Sequence, residues 1–221
     1  MEIIIEDIIK SIAPQLHVIT IEADVVNSET PDAFWDELTA ESNHVASMFE
    51  ISDINKRPGI AATRAAYKAL GKEPNRYRPS SEALCRRAVK GMELYRINTL
   101  VDIINLISMR SGYSIGGFDA KKIDGNILHL GAGRENEEFE AIGRGLLNIE
   151  NLPVYRDNIG GIGTPTSDVE RTKLSINTKK LLMCINIYGE ELSFDETISL
   201  SCDLLERYCN AQNIKITHYQ A

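Results

Sequence analysis

The stretch NRYRPSSEALCRRAVKGMELYRINTLVDIINLISMRSGYSIGGFD, Asn75 to Asp119, decides how this chain is read. It holds two helices and a turn that ends in the paired glycines Gly116-Gly117. Pro79-Ser80-Ser81-Glu82 opens the first helix: a serine oxygen can accept a free N–H of the first turn, and Glu82 suits the positive end of the helix dipole. Leu84, Ala88 and Met92 fall near one face of this helix, with Arg86, Arg87 and Lys90 near the others. The second helix, Thr99 to Arg110, is apolar almost all round, which is the pattern of a buried helix. Its exceptions, Asp102, Asn105 and Ser108, are three apart and form one polar stripe. Buried polar groups need partners. The stripe therefore either bonds neighbouring backbone and the preceding loop, or lines a site.

Outward from this stretch, 221 residues fit one large domain or two small ones, and 43% hydrophobic with 25% charged residues is an ordinary globular composition. No apolar run approaches the roughly 20 residues that span a bilayer. The opening MEIIIEDIIK lacks a basic start and is interrupted by Glu2, Glu6 and Asp7, so it does not read as a signal peptide. No membrane association is expected, and the expected compartment is the cytoplasm. Cys85, Cys184, Cys202 and Cys209 form no C-x-x-C pair and are expected to be reduced, with Cys202 and Cys209 two turns apart on one helix face. His17, His44, His129 and His218 are equally dispersed, so neither a metal nor a cofactor is expected.

The net charge of −8 argues against indiscriminate nucleic-acid binding, DNA included. Yet Lys56 to Arg96 carries eleven basic residues against Glu73, Glu82 and Glu93, a local +8 that leaves −16 for the remainder. A basic segment in an acidic chain is either a phosphate footprint or a pair of solvated helix faces.

The rest of the chain supplies the frame. Residues 2–12 read as a short strand running into a helical turn, and His17 to Val26 as a strand. Pro31 suits the first position of a helix from Asp32 to Met48, which Asn43 could interrupt. An alanine-rich helix runs from Pro58 to Leu70 with Gly71 as its stop. Beyond Asp119 the strand candidates are Ile127–Leu130, Glu138–Ile142, Pro153–Arg156 and Leu181–Tyr188, the last a continuous apolar run that reads as a central strand. Glycines mark the turns between them. A helix over Phe194–Cys209 and a strand over Ile214–His218 close the chain. Helices first and strands later make an α+β fold.

The chemical motifs are weak. Gly131-Ala132-Gly133 has no third glycine at the spacing of a dinucleotide fingerprint, Gly160 to Thr164 lacks the Gly-Lys-Ser/Thr end of a phosphate loop, and no G-x-S-x-G elbow exists. The segment Ser167-Asp168-Val169-Glu170-Arg171-Thr172-Lys173 sets charges beside a glycine-rich loop, and by spacing alone it reads as a solvated connection.

The order RYRPSSEALCRR, INTLVDIINLISMRSGYSIGGFD, ERTKLSINTKKLLM resembles the B3/B4 domain of the phenylalanyl-tRNA synthetase beta subunit. It resembles more closely the free-standing proteins built around that domain. The likeness is strongest over Arg57 to Tyr188, with residues 1–56 and 189–221 as terminal extensions of a single domain, 1–221. It implies a layered α+β fold, an unusual β-sandwich covered by helices. In the synthetase this domain removes tyrosine from mischarged tRNA. The aspartate and asparagine of its helix motif fall on Asp102 and Asn105, and its glycine-to-aspartate turn falls on Gly112 to Asp119, with Phe118 and Asp119 matching. Ser114 stands where the family has a proline and Gly116 where it has the pocket histidine, a departure that counts against synthetase-type editing. The pocket glutamate that selects the tyrosine hydroxyl falls on Glu170.

The resemblance thus implies an aminoacyl pocket of Asp102, Asn105, Gly116, Gly117, Glu170 and Thr172, and phosphate contacts from Arg76, Arg78, Arg86, Arg87 and Arg96. A carboxylate suits a phenol because it accepts a strong hydrogen bond. Ester hydrolysis would need an oriented water and donors to the oxyanion, for which N–H groups near Gly116-Gly117 or Gly160 to Gly163 are candidates. The expected partner is tRNA or aminoacyl-tRNA, and the expected activity is tRNA binding or removal of a mischarged amino acid in trans. The chain is too short to hold the aminoacylation machinery as well. The competing expectation is a non-catalytic pocket protein for an amino acid or related metabolite, and a third is a structural module acting through protein partners.

Overall fold

A computed structural model describes residues 1–221. In chain order the elements are β1 (Glu2–Ile5), α1 (Asp7–Ile12), β2 (His17–Asp24), α2 (Asp32–Met48), α3 (Pro58–Ala69), α4 (Ser80–Val89), α5 (Thr99–Ser111) and β3 (Ser114–Asp119). There follow β4 (Ile127–Ala132), β5 (Glu140–Ala141), β6 (Gly145–Leu146), β7 (Pro153–Arg156), β8 (Gly161–Gly163), β9 (Lys180–Ile187), α6 (Phe194–Cys209) and β10 (Gln212–Gln220). No helix is long and apolar enough to cross a membrane.

The fold is α+β, in three layers. One sheet has the order β1-β4-β7-β8 and the other β10-β2-β9-β3. Alternate residues of a strand point to opposite faces, and the second sheet uses both. Val18, Phe118, Leu182 and Cys184 face the first sheet, where they meet Ile3, Leu128, Val154 and Ile162. Ile19, Ile21, Ile115, Met183 and Ile185 face the other way, against Phe34, Leu38, Cys85, Leu100, Ile103 and Leu204 of the helices. The near-continuous apolar run of β9 is explained by this position: it is buried on both faces and paired on both sides, with β2 and β3. The segments outside Arg57–Tyr188 complete both sheets, since β1 pairs with β4 and β10 pairs with β2.

Several local expectations are corrected. Asp32–Met48 is one uninterrupted helix, and Pro31 is its cap, not its first residue. Ser80 and Ser81 do not cap α4: Pro79 occupies that position, the fully buried Ser81 hydroxyl meets Ser114 Oγ at 3.2 Å, and Ser80 lies within the first turn. The segment to Asp119 is a strand, and only Gly112 turns, at φ +74°. The β9 edge supplies a ladder for β3, and a Cβ at 117 would come within 2.4 Å of the Ile104 terminal methyl, which would have to move. Gly161–Gly163 is likewise a strand, not a turn, while Glu138–Ile142 shrinks to two residues of ladder. All four cysteines are free, and Cys202 is only half-buried.

Candidate ligand site where two sheet edges meet

β3 and β8 are edge strands of different sheets. The loop that follows β8 runs between them, bridging back to Gly163 through Asp168 and across to Phe118 through Lys173. Helices α4 and α5 cover the same corner from the helical layer. The cleft between them measures about 440 Å³. Leu84, Val101, Ile104, Ile115 and Leu174 give it apolar walls, and Ser80, Asn105, Ser108 and Asp168 give it a few polar groups. An apolar pocket with a small number of placed polar groups is the usual form of a small-molecule site.

Asp168 is the chemically distinctive residue. Its Oδ2 accepts the Gly117 N–H at 3.1 Å, and the N–H is its one protein donor. Withdrawal from water pushes its carboxyl up to about 7, against the partial opposition of that single bond. Glycines make room for it. A Cβ at 163 would lie 2.7 Å from Asp168 Oδ1 and 2.5 Å from the Phe118 ring, and one at 116 would lie 2.7 Å from the same ring. Gly116 is thus part of the packing around Phe118.

A second cavity, about 470 Å³, shares Ser80, Leu84, Asn105 and Arg144 with the first and opens along the outer face of α4. Arg78, Arg86, Arg87 and Lys90 line it, with Tyr95 and Met92 at its far side. Arg87 stacks on the Tyr95 ring at 4.2 Å. Beneath this surface lies Glu82, which has no exposed surface and pairs with Arg64 and Arg86, each at 2.8 Å. The two cavities together make an apolar pocket that holds a half-buried carboxylate and opens into a basic, aromatic groove.

Of the pocket residues expected from the sequence, Asn105 and Gly117 line the cavity and the others do not. Asp102 is fully buried near the start of α5, where it accepts from Thr30 Oγ1 at 2.5 Å and from the Ile97 N–H at 3.3 Å. Burial pushes its carboxyl up to about 6, with the Thr30 hydroxyl pulling the other way. The polar stripe is therefore divided: Asp102 ties down the preceding loop, whereas Asn105 and Ser108 face the site. Glu170 sits outside both cavities, paired with Lys173 and accepting the Gly143 N–H at 3.3 Å; the Lys173 ammonium holds its carboxyl below the usual range. Thr172 is fully buried, and its hydroxyl has no partner. Gly116 turns toward Phe118 instead of the cavity.

Of the five arginines, Arg78, Arg86 and Arg87 line the groove, and Arg76 lies outside it beside Tyr77. Arg96 points to the start of α2, where it meets Asp32 at 2.6 Å. The expected backbone donors are engaged as well: Gly117 N–H by Asp168, Gly160 N–H by Asp157 at 3.1 Å, and Gly161 and Gly163 in the β7 pairing. Sequence reasoning passed over Asp168, Arg144 and Tyr95. The signal for Asp168 was present in the charged segment after the glycines, but a solvated loop has the same spacing.

The α+β sandwich and this cleft define a layered fold with one candidate ligand site. A family model described as the B3/4 domain matches residues 62–209, and the chain belongs to that family. The matched segment starts later than Arg57 and runs past Tyr188 to take in α6. The fold is similar to that of an N-terminal fragment of the phenylalanyl-tRNA synthetase beta-subunit from Pyrococcus horikoshii, at 12% identity and a TM-score of 0.46, over 97% of this chain and 50% of that one. The chain thus spans half the length of that fragment. No relative among curated proteins matches the sequence.

Proposed function

We propose that this protein binds the aminoacylated 3′ end of a tRNA and clears a mischarged amino acid from it. The carrying observation is the continuity of the two cavities through Ser80, Leu84, Asn105 and Arg144. An aminoacyl group suits the apolar pocket formed by Leu84, Val101, Ile104, Ile115 and Leu174. The terminal nucleotides suit the groove, where Arg78, Arg87 and Lys90 meet phosphates and Tyr95 offers a ring for a base to stack on. Membership of the B3/4 family supports this reading.

Hydrolysis would begin with a water attacking the ester carbonyl while its proton passes to an ionised Asp168. The acyl–oxygen bond then breaks, and the ribose hydroxyl leaves with a proton. The Asn105 side chain lines the cavity and has no hydrogen-bond partner in the protein, so its amide is free to donate to the developing oxyanion.

The test is deacylation of tyrosyl-tRNA(Phe) and a panel of other aminoacyl-tRNAs by the wild type and Asp168→Asn, alongside tRNA binding at several salt concentrations. Hydrolysis that Asp168→Asn removes without loss of binding supports the whole reading. Binding without hydrolysis in the wild type leaves a recognition module. Absence of both, with an amino acid bound by the pocket alone, favours the metabolite-binding alternative.

A further inference from the structure

On the reading of the cleft given above, we propose that Arg144 grips the phosphate adjoining the ligand's terminal nucleoside, from a hairpin that overhangs the junction of the two cavities. The hairpin β5–β6 has only two rungs, Glu140 with Leu146 and Ala141 with Gly145. So short a hairpin is not stable alone. It is held to the body at its first strand: Ala141 bridges Val169, the Ile142 N–H donates to the Asp168 carbonyl at 3.0 Å, and the Gly143 N–H reaches Glu170. Beyond that anchor the tip stands free. Gly143 and Gly145 both have positive φ, +66° and +71°, and nothing lies within 4 Å of either where a side chain would begin.

Arg144 is carried between these glycines. It is exposed and lines both cavities, and its guanidinium makes no ion pair. The other cation of the inner cavity, Lys173, is already paired with Glu170, and in the groove Arg86 is paired with Glu82. Arg144 is therefore the uncommitted cation at the junction, and a guanidinium fork suits a phosphodiester held in two-point contact. Its fixed anchor beside Asp168 sets the distance between the acyl pocket and that phosphate. Glu170 acts here as the support of the hairpin, not as a pocket group.

The test separates this contact from the reading on which it rests. Two non-hydrolysable ligands are compared by calorimetry: 3′-aminoacylamino-3′-deoxyadenosine, made with tyrosine, phenylalanine and alanine, and the same compounds bearing a 5′-phosphate. The wild type is expected to prefer the phosphorylated form by about ten- to hundredfold, the range of a charge-assisted contact. Arg144→Ala should bring that preference close to one without changing affinity for the unphosphorylated form, and Arg144→Lys should restore only part of it. A preference that survives in Arg144→Ala, or none in the wild type, overturns the assignment. If neither ligand binds the wild type at all, the aminoacyl-end reading falls and the role of Arg144 falls with it.

Discussion

Gly117 donates its backbone N–H to Asp168 across 3.1 Å, and this bond joins the edge of one sheet to the loop that borders the edge of the other. The carboxylate it holds is otherwise surrounded by glycine backbone, the Phe118 ring and the cavity.

Asp168 should make stability fall with rising pH. Its carboxyl sits at about 7 in the folded chain, against an ordinary value of ~3.9 when unfolded. Folding therefore favours the protonated form, which stabilises fully below about pH 4 and is progressively lost toward pH 7. Asp168→Asn removes the dependence, so at pH 8 the variant should be the more stable by about 2 to 4 kcal/mol, with the gain shrinking toward zero near pH 4. Urea denaturation at a series of pH values measures it; a constant difference would disprove the assignment.

Glu82 is expected to be the most damaging single charge to remove. It has no exposed surface and anchors Arg64 and Arg86, so Glu82→Ala leaves Arg64 buried without its partner. The expected loss is about 3–5 kcal/mol. Chemical denaturation should show it, whereas Glu170→Ala, at the solvated rim, should leave the midpoint nearly unchanged.

Placing at 116 the histidine that the family resemblance implies should not create an editing site. The first carbon of any side chain there meets the Phe118 ring at 2.7 Å, so Gly116→His must displace that ring from the sandwich core. Overpacking of this kind costs about 1–3 kcal/mol. A lowered melting temperature with no gain in deacylation is expected; unchanged stability would show that Phe118 yields easily.

The groove should outweigh the other basic residues in tRNA binding. Arg78→Ala, Arg87→Ala and Lys90→Ala should each weaken binding and flatten its salt dependence by about one unit of slope. Arg96→Ala should do neither, because that side chain is occupied by Asp32 and the Thr30 carbonyl at the start of α2. Filter binding from low to high salt distinguishes the two classes.

The frame was legible wherever one periodicity ran long enough. Helices α2, α5 and α6 and the strand β9 declare themselves through apolar spacing, and the likeness over Arg57 to Tyr188 supplied the layering. The missed strands, Ser114–Asp119 and Gly161–Gly163, carry glycines whose purpose is visible only in space: they admit Ile104, Phe118 and the Asp168 carboxylate. The site was half legible for the same reason. Asn105 and Asp102 lie on one helix stripe, but the stripe rotates past the cavity, so one faces a ligand and the other faces Thr30. The family resemblance implied Glu170 in the pocket. The short helical turn at Glu170–Thr172 instead carries that carboxylate out to Lys173 and leaves Asp168 inside.

Strand β9 has one further consequence. Its side chains alternate between the two cores, Leu182 and Cys184 on one side and Met183 and Ile185 on the other. Neither core can come apart without disturbing the same eight residues. Amide protons along β9 should therefore exchange with solvent only when the whole molecule opens, while those at the tip of the β5–β6 hairpin exchange through local opening of its few hydrogen bonds, so one deuterium experiment reads global opening and hairpin motion as two separate clocks.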